Sequence, residues 1–384
     1  MIVRKLGMLL VLLILTGCNS KPEGRSVFPL LEQIDNKVVA NLSDELQREH
    51  KAGTFDGLVL VTKNNAVLFK SAFGYSNRKT PIKNGVGTIS DIGSIAKTFT
   101  AAAILQLSQK QKINLSDSLG VFYSNAPETI KNITISQLLS HSSGLDNFHN
   151  DSDFEPMNKM EAESRILSMP LILKPGEKVA YSNAAYTLLA AIVERVSDQP
   201  FQEYVRHNLL EPLNLNKTGF YQDLNISANN VARGYGGDDQ DRTTFERDLT
   251  WALIGAGGMV SSIDDLTAWF TALRSGAFFP ANTPNLVFNE GNKLWMLGSL
   301  ALRDINGESV IQMGGSTDYG FTALIQFVPK QELAIVLLLN AYGSKYGAAT
   351  HHHLSRKHIL PILLSAEAQL PNKSIQPTAG ASAD

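Results

Sequence analysis

Strand-like apolar runs stand at both ends of this chain and helical periodicity fills its middle. Gly57–Val61 and Ala66–Lys70 flank Lys63-Asn64-Asn65, a pattern that predicts a β-hairpin. Far downstream, Trp295–Leu302, Ser309–Met313, Thr322–Val328 and Leu333–Leu339 read as successive strands, closed by Asn340 and Gly343. Between them the pattern from Asn114 to Ala191 is mostly helical, with amphipathic helices expected at Ala184–Val196 and Phe201–Leu210. Ile133–Gly144 reads as a helix with a glycine stop. Phe28–His50 and Tyr346–Leu364 predict a first and a closing helix, the second interrupted at Pro361, and Ser227–Thr250 predicts a polar surface loop. One antiparallel sheet assembled from both ends of the chain, flanked by helices and with a helical lobe inserted, accounts for this order; the class is α+β.

The 384 residues suffice for one large or two closely packed domains, and no internal repeat is visible. A net charge of −2 leaves no electrostatic footprint for nucleic acid, and a single cysteine excludes an internal disulfide. That cysteine closes a signal pattern. Arg4 and Lys5 precede the apolar run Leu6–Leu15, which is too short to span a membrane comfortably, and Leu15-Thr16-Gly17-Cys18 follows. The tetrapeptide resembles a lipoprotein processing site. The resemblance implies cleavage before Cys18 and lipid on it, and Asn19 implies sorting to the outer membrane. The expected organisation is a signal peptide over 1–17, a lipidated tether over 18–27, a folded domain over 28–365 with its helical lobe at about 98–250, and a disordered tail over 366–384. The expected location is the cell envelope, on the periplasmic face or the surface, with acyl chains as anchor.

The chemistry centres on Asp91-Ile92-Gly93-Ser94-Ile95-Ala96-Lys97-Thr98-Phe99-Thr100, which opens an Ala-rich helix-forming segment. With a helix starting near Ser94, Lys97 lies one turn on, on the same face. A buried lysine is driven toward its neutral form and can take a proton from a hydroxyl. Helix-terminal N–H groups would favour an anion at the serine. The same residues also fit an N-cap and a solvated lysine, and Ser76–Lys79 repeats the spacing ahead of a Thr80-Pro81 turn with no helix behind it.

Five signatures in order decide between these readings: Gly93-Ser94-Ile95-Ala96-Lys97; Leu138-Leu139-Ser140-His141-Ser142-Ser143-Gly144-Leu145; Lys174-Pro175-Gly176 through Tyr181-Ser182-Asn183; Gly257-Gly258-Met259-Val260-Ser261-Ser262; and Gly314-Gly315 ahead of Tyr319-Gly320-Phe321. Together they resemble the serine β-lactamase and penicillin-binding-protein superfamily over roughly Phe55 to Asn340. The nearer branch holds class C β-lactamases, D-alanyl carboxypeptidases and family VIII esterases. The resemblance implies a serine β-lactamase-like fold, Ser94 as nucleophile, Lys97 and Tyr181 as the proton-transfer pair, and Asn183 as a ligand of Lys97 and of the substrate amide. Tyr-Ser-Asn occurs also at Tyr75 and Tyr123, but only the Tyr181 copy follows a Pro-Gly turn and opens a long helix.

The family's third motif, Lys-Thr-Gly or a variant, lies on a late strand beside the nucleophile. The literal Lys217-Thr218-Gly219 follows Glu211-Pro212-Leu213 and falls on the wrong element. The positional match is Met313-Gly314-Gly315, counted here with the substrate-binding residues, although a thioether brings neither charge nor a donor. The backbone N–H groups of Ser94 and Ser316 would form the oxyanion hole. No metal ligand set is expected. His351-His352-His353 would fan around a helix and reads as a surface or partner contact, His141 as a structural helix-end residue, and Asp264 and Asp265 as helix-start charges.

The resemblance implies a lipid-anchored serine hydrolase acting through a Ser acyl-enzyme on an ester or amide carbonyl: a small ester, a D-amino-acid peptide or a β-lactam. It needs no cofactor, and its partners are a small molecule or peptidoglycan peptide and, through Cys18, a membrane. The alternative is a catalytically degenerate penicillin-binding-like lipoprotein that holds cell-wall peptides. No oligomeric state is implied.

Overall fold

The structure, a computed structural model, describes residues 28–149, 154–223, 225–237, 241–276, 300–343 and 345–367. The signal peptide, Cys18, the tether and the tail beyond residue 367 lie outside them. Among the described residues no helix is long and apolar enough to cross a membrane.

β1 (Phe55–Lys63) and β2 (Ala66–Phe73) form the expected hairpin. Asn64 and Asn65 both hold positive φ (51° and 62°), the conformation that a tight two-residue hairpin turn demands. β9 (Leu333–Tyr342) is buried from Leu333 to Ala341, because β1 pairs on one side of it and β8 (Thr322–Val328) on the other. β7 (Glu308–Ser316) and β6 (Ala301–Ile305) complete an antiparallel sheet of order β2-β1-β9-β8-β7-β6. The two ends of the chain thus pair in one sheet, as the strand pattern requires. The strand expected at Trp295–Leu302 begins only at Ala301, and 295–299 lie outside the described residues.

Each sheet face carries its own core. On one face α1 (Phe28–Lys51) packs with α5 (Thr350–Leu354) and α6 (Leu360–Glu367) over Val59, Val61, Ile335 and Leu337. Pro361 does not interrupt this closing segment; the break is a π turn, Ser355–Ile359, just before it. On the other face lie α2 (Lys97–Gln109), α3 (Asn183–Ser197) and α4 (Ile263–Ser275). α2 is buried on all sides from Lys97 to Leu105, and its residues there are mostly apolar. Trp269 of α4 stacks on Phe99 with centroids 4.0 Å apart, and its Nε1–H donates to Thr98 Oγ1 at 2.8 Å.

A small second sheet, of order β3-β5-β4, joins β3 (Ile89–Asp91), β4 (Gly219–Phe220) and β5 (Met259–Ser262). The segment 227–250 is not a surface loop throughout. Val231, Ala232 and Tyr235 are buried, bridging Ile89 and Ala341, while Arg233 pairs with Asp241 and Glu246 and so satisfies the polar residues internally.

Candidate active site

β3 delivers the chain to a 3-10 turn, Gly93–Ala96, which runs directly into α2. Ser94 sits in that turn and Lys97 is the first residue of α2. Lys97 is fully buried; its Nζ donates to Ser94 Oγ at 3.2 Å and to the Ala256 carbonyl at 2.7 Å. Tyr181 arrives from the loop before α3, with its hydroxyl 2.6 Å from Ser94 Oγ. Lys97 Nζ lies 4.8 Å from the centre of the Tyr181 ring. An oxygen nucleophile needs a base for its proton, and at these distances a neutral amine at Lys97 or an ionised phenol at Tyr181 can take it.

Tyr181 is held from both sides by His141. The His141 carbonyl accepts the Ala180 N–H at 2.8 Å, and its Nδ1 accepts the Ser182 N–H at 3.0 Å. The two rings stack at 4.7 Å and 24°. Burial, and then the charge of Lys97, push the His141 imidazole down to about 3, so it is neutral near pH 7. Ser182 caps α3 through Ala185 N–H and ties back to the Asp146 carbonyl.

Glycine at two positions lets the backbone of β7 reach the serine. Gly93 has φ +50°, and a β-carbon there would lie 2.8 Å from Ser316 N. A β-carbon at Gly315 would lie 2.2 Å from Ile92 O and 2.9 Å from Ser94 N. The Ser94 and Ser316 amides therefore come together beside the Ser94 side chain, a geometry suited to an oxyanion.

These groups open on a cavity of about 380 Å³. Ser94, Tyr181, Asn183, Gly314 and Ser316 line it. Met313 does not: it is 3% exposed and packs in the main core, so its thioether does not meet a ligand there as the sequence suggested. Gly315 acts through close approach to Ser94 rather than as cavity wall. Lys217-Thr218-Gly219 stays off the site, with Thr218 bonded to Ser261 and Asp265.

The histidine tract departs from the surface reading. His351 is buried, and His351 and His352 direct their Nε2 atoms at Gly314, where a β-carbon would lie 2.4 and 3.0 Å from them. The absence of a side chain at Gly314 makes the room.

Sequence reasoning missed a buried cluster under the serine turn. Asp91, fully buried, accepts the Gly93 N–H at 2.6 Å, the Tyr319 hydroxyl at 2.7 Å and the Tyr221 hydroxyl. Burial and the neighbouring Asp91 hold the Tyr319 phenol protonated, well above its usual range. Tyr221, Tyr319, Asn147, His149 and Asp318 also line the cavity. Asp91 and Tyr319 stood inside the quoted motifs, but nothing local paired them across more than two hundred residues.

The chain matches the family model described as Beta-lactamase over residues 39–357. It is 28% identical over 361 residues to Protein flp of Staphylococcus aureus strain MRSA252, covering 89% of this chain and 69% of that protein. Among solved structures it resembles the D-amino acid amidase of Ochrobactrum anthropi SV3, with TM-score 0.72, 18% identity, and 87% and 99% of the two chains covered. It also resembles EstCE1, a hydrolase with promiscuous acyltransferase activity, with TM-score 0.68, 20% identity, and 86% and 99% covered. At these identities the structural likenesses establish the shared fold.

Proposed function

Because the chain belongs to the Beta-lactamase family, we propose that it is a serine hydrolase working through an acyl-enzyme on Ser94. The observation that carries this reading is the meeting of Lys97 Nζ and Tyr181 OH on Ser94 Oγ at the cavity. Ser94 Oγ attacks the carbonyl carbon as its proton passes to the Lys97–Tyr181 pair. The tetrahedral oxyanion takes hydrogen bonds from the Ser94 and Ser316 N–H groups; one such donor contributes about 3–4 kcal/mol. The pair returns the proton to the leaving oxygen or nitrogen, and the ester on Ser94 remains. Water, its proton taken by the Tyr181 phenolate, then attacks that ester, and Tyr181 returns the proton to Ser94 Oγ as the acid leaves. Asn183 orients the acyl group.

The substrate is a small ester or amide that is neutral or carries an amine. Among the described lining residues there is no Lys or Arg, while Asp318 contributes a carboxylate. The amidase named above lends support to the amide option. We further propose that Cys18 is lipidated and that the protein works from the outer membrane. Loss of radiolabelled palmitate incorporation in Cys18→Ala tests that part.

The hydrolytic reading is tested by labelling with a fluorophosphonate and, separately, a fluorescent penicillin, with p-nitrophenyl butyrate and nitrocefin turnover read alongside. Labelling that disappears in Ser94→Ala is the expected result. The burial of an uncharged Met313 where relatives are expected to place a cation favours a second reading, a peptide-binding lipoprotein without turnover. A folded protein that takes neither probe would establish that reading instead.

A further inference from the structure

The π turn Ser355–Ile359 between α5 and α6 changes which side chains share a face. In an α-helix residues five apart point about 140° from one another. A π turn holds more residues and brings them nearly into line. His353 and His358 accordingly meet, with Nε2 atoms 3.2 Å apart. Two carboxylates of α1 approach the other ring nitrogen of His358. Glu45 Oε1 lies 2.6 Å from His358 Nδ1, and Glu49 Oε1 lies 3.6 Å from it. The other Glu49 oxygen accepts the Thr54 hydroxyl at 2.8 Å. One ligand atom each from Glu49, His353 and His358 fall within 4.8 Å of one another, all three residues being partly buried.

We propose that Glu49, His353 and His358 bind a divalent transition-metal ion of the zinc class, pinning α1 to the C-terminal helix. Four features point to an ion. Two nitrogens on a tetrahedral ion, each about 2.0–2.1 Å from the metal, stand about 3.3 Å apart, close to the spacing found. An Nδ1–H bond from His358 to Glu45 leaves its Nε2 lone pair directed at His353, the carboxylate–histidine arrangement that supports metal-bound imidazoles. The Thr54 bond likewise orients Glu49. Tyr346 stacks on His353 with centroids 3.6 Å apart and fixes that ring. Water would complete the coordination. Two cations stand nearby, Arg48 on the second oxygen of Glu45 and Lys345 over Tyr346, so the affinity is moderate rather than extreme. The rival explanation of the short contact is an N–H···N hydrogen bond between the two imidazoles.

The site lies on the sheet face away from the Ser94 cavity, so its test is independent of hydrolysis. The full chain, in detergent and stripped with chelator, is titrated with Co²⁺ while the visible d–d absorption is read; melting is followed with and without Zn²⁺. One equivalent of Co²⁺ should give a tetrahedral or five-coordinate band, and Zn²⁺ should raise the melting temperature. His353→Ala and His358→Ala should lose both responses, and Glu45→Ala should weaken binding by about 10–100-fold. Circular dichroism and a cooperative melt in chelator show that each variant folds. Absence of a band and of a melting shift in the unaltered chain overturns the proposal. So does a band that survives His353→Ala but vanishes in His351→Ala or His352→Ala.

Discussion

Gly315→Ala tests the close approach on which the oxyanion hole depends. The residue has no positive φ, so alanine is acceptable to its backbone, and the effect is purely steric. Its β-carbon would lie 2.2 Å from Ile92 O and 2.9 Å from Ser94 N. Ordinary non-bonded contact is about 3.5 Å, so the strand and the serine turn must part by about 1 Å. Ile92 cannot yield alone. Its carbonyl accepts the Ile95 N–H at 3.1 Å and its N–H donates to Met259 O at 3.2 Å, so the whole turn carrying Ser94 shifts. Overpacking of this kind costs about 1–3 kcal/mol, leaving a folded protein. Misplacing one of two oxyanion donors lowers kcat by about 10²–10³, or 2.7–4 kcal/mol. The assay is kcat and KM for p-nitrophenyl butyrate with the rate of fluorophosphonate labelling, and a thermal melt shows that the variant folds. The expected result is a kcat at least about 100-fold down with KM little changed. A folded Gly315→Ala protein with unaltered kcat would refute the argument.

Three further outcomes follow from the same geometry. His141 titrates at about 3 when folded against 6.5 in the open chain, so only the unfolded state gains its proton as pH falls through that window. Its contribution is complete above pH 6.5; by about pH 4.5 the native chain should lose about 2.7 kcal/mol more than His141→Gln in urea denaturation, and equal losses would reject a neutral buried imidazole. Asp91→Asn deprives three donors of a charged acceptor and should lower unfolding stability by about 3 kcal/mol; a loss under about 1 kcal/mol would show that the cluster carries no charge. Asp318 should disfavour a carboxylate-bearing ester against its neutral twin by about 1 kcal/mol, roughly fivefold in kcat/KM, and Asp318→Asn should narrow that ratio; an unchanged ratio removes Asp318 from substrate choice.

Where periodicity is local, the sequence was readable. The apolar runs Gly57–Val61 and Ala66–Lys70 around Lys63-Asn64-Asn65 marked a hairpin, and the apolar run at Leu333–Leu339 marked a strand, which the structure places inside the sheet with neighbours on both sides. Ser94, Lys97 and Tyr181 were legible as motifs, and the structure brings all three to one point. Long-range pairing was not legible. Asp91 meets Tyr221 and Tyr319 only because three separate segments converge, and no property of any one segment announces the others. The histidine tract was misread for a different reason. A regular helix was assumed, whereas the π turn after His353 realigns His358, and Gly314 opens room for His351.

The same strand explains why Met313 can stand where relatives are expected to carry a cation. Residues two apart on a strand share a face, so Met313 and Gly315 both point toward the serine turn and the main core. At 315 the turn is so near that only glycine fits; at 313 there is space for a side chain, and it is filled with apolar packing. Gly314 points the other way, toward His351. What β7 would offer a carbonyl at Ser94 is therefore backbone, the Ser316 amide of the proposed oxyanion hole, and a backbone donor is indifferent to the side chain at 313. Replacing a cation by methionine there removes recognition of an anionic group while leaving the oxyanion donors in place. On the proposed function, acyl transfer and substrate choice would thus rest on different atoms of one strand, and the second could change without loss of the first.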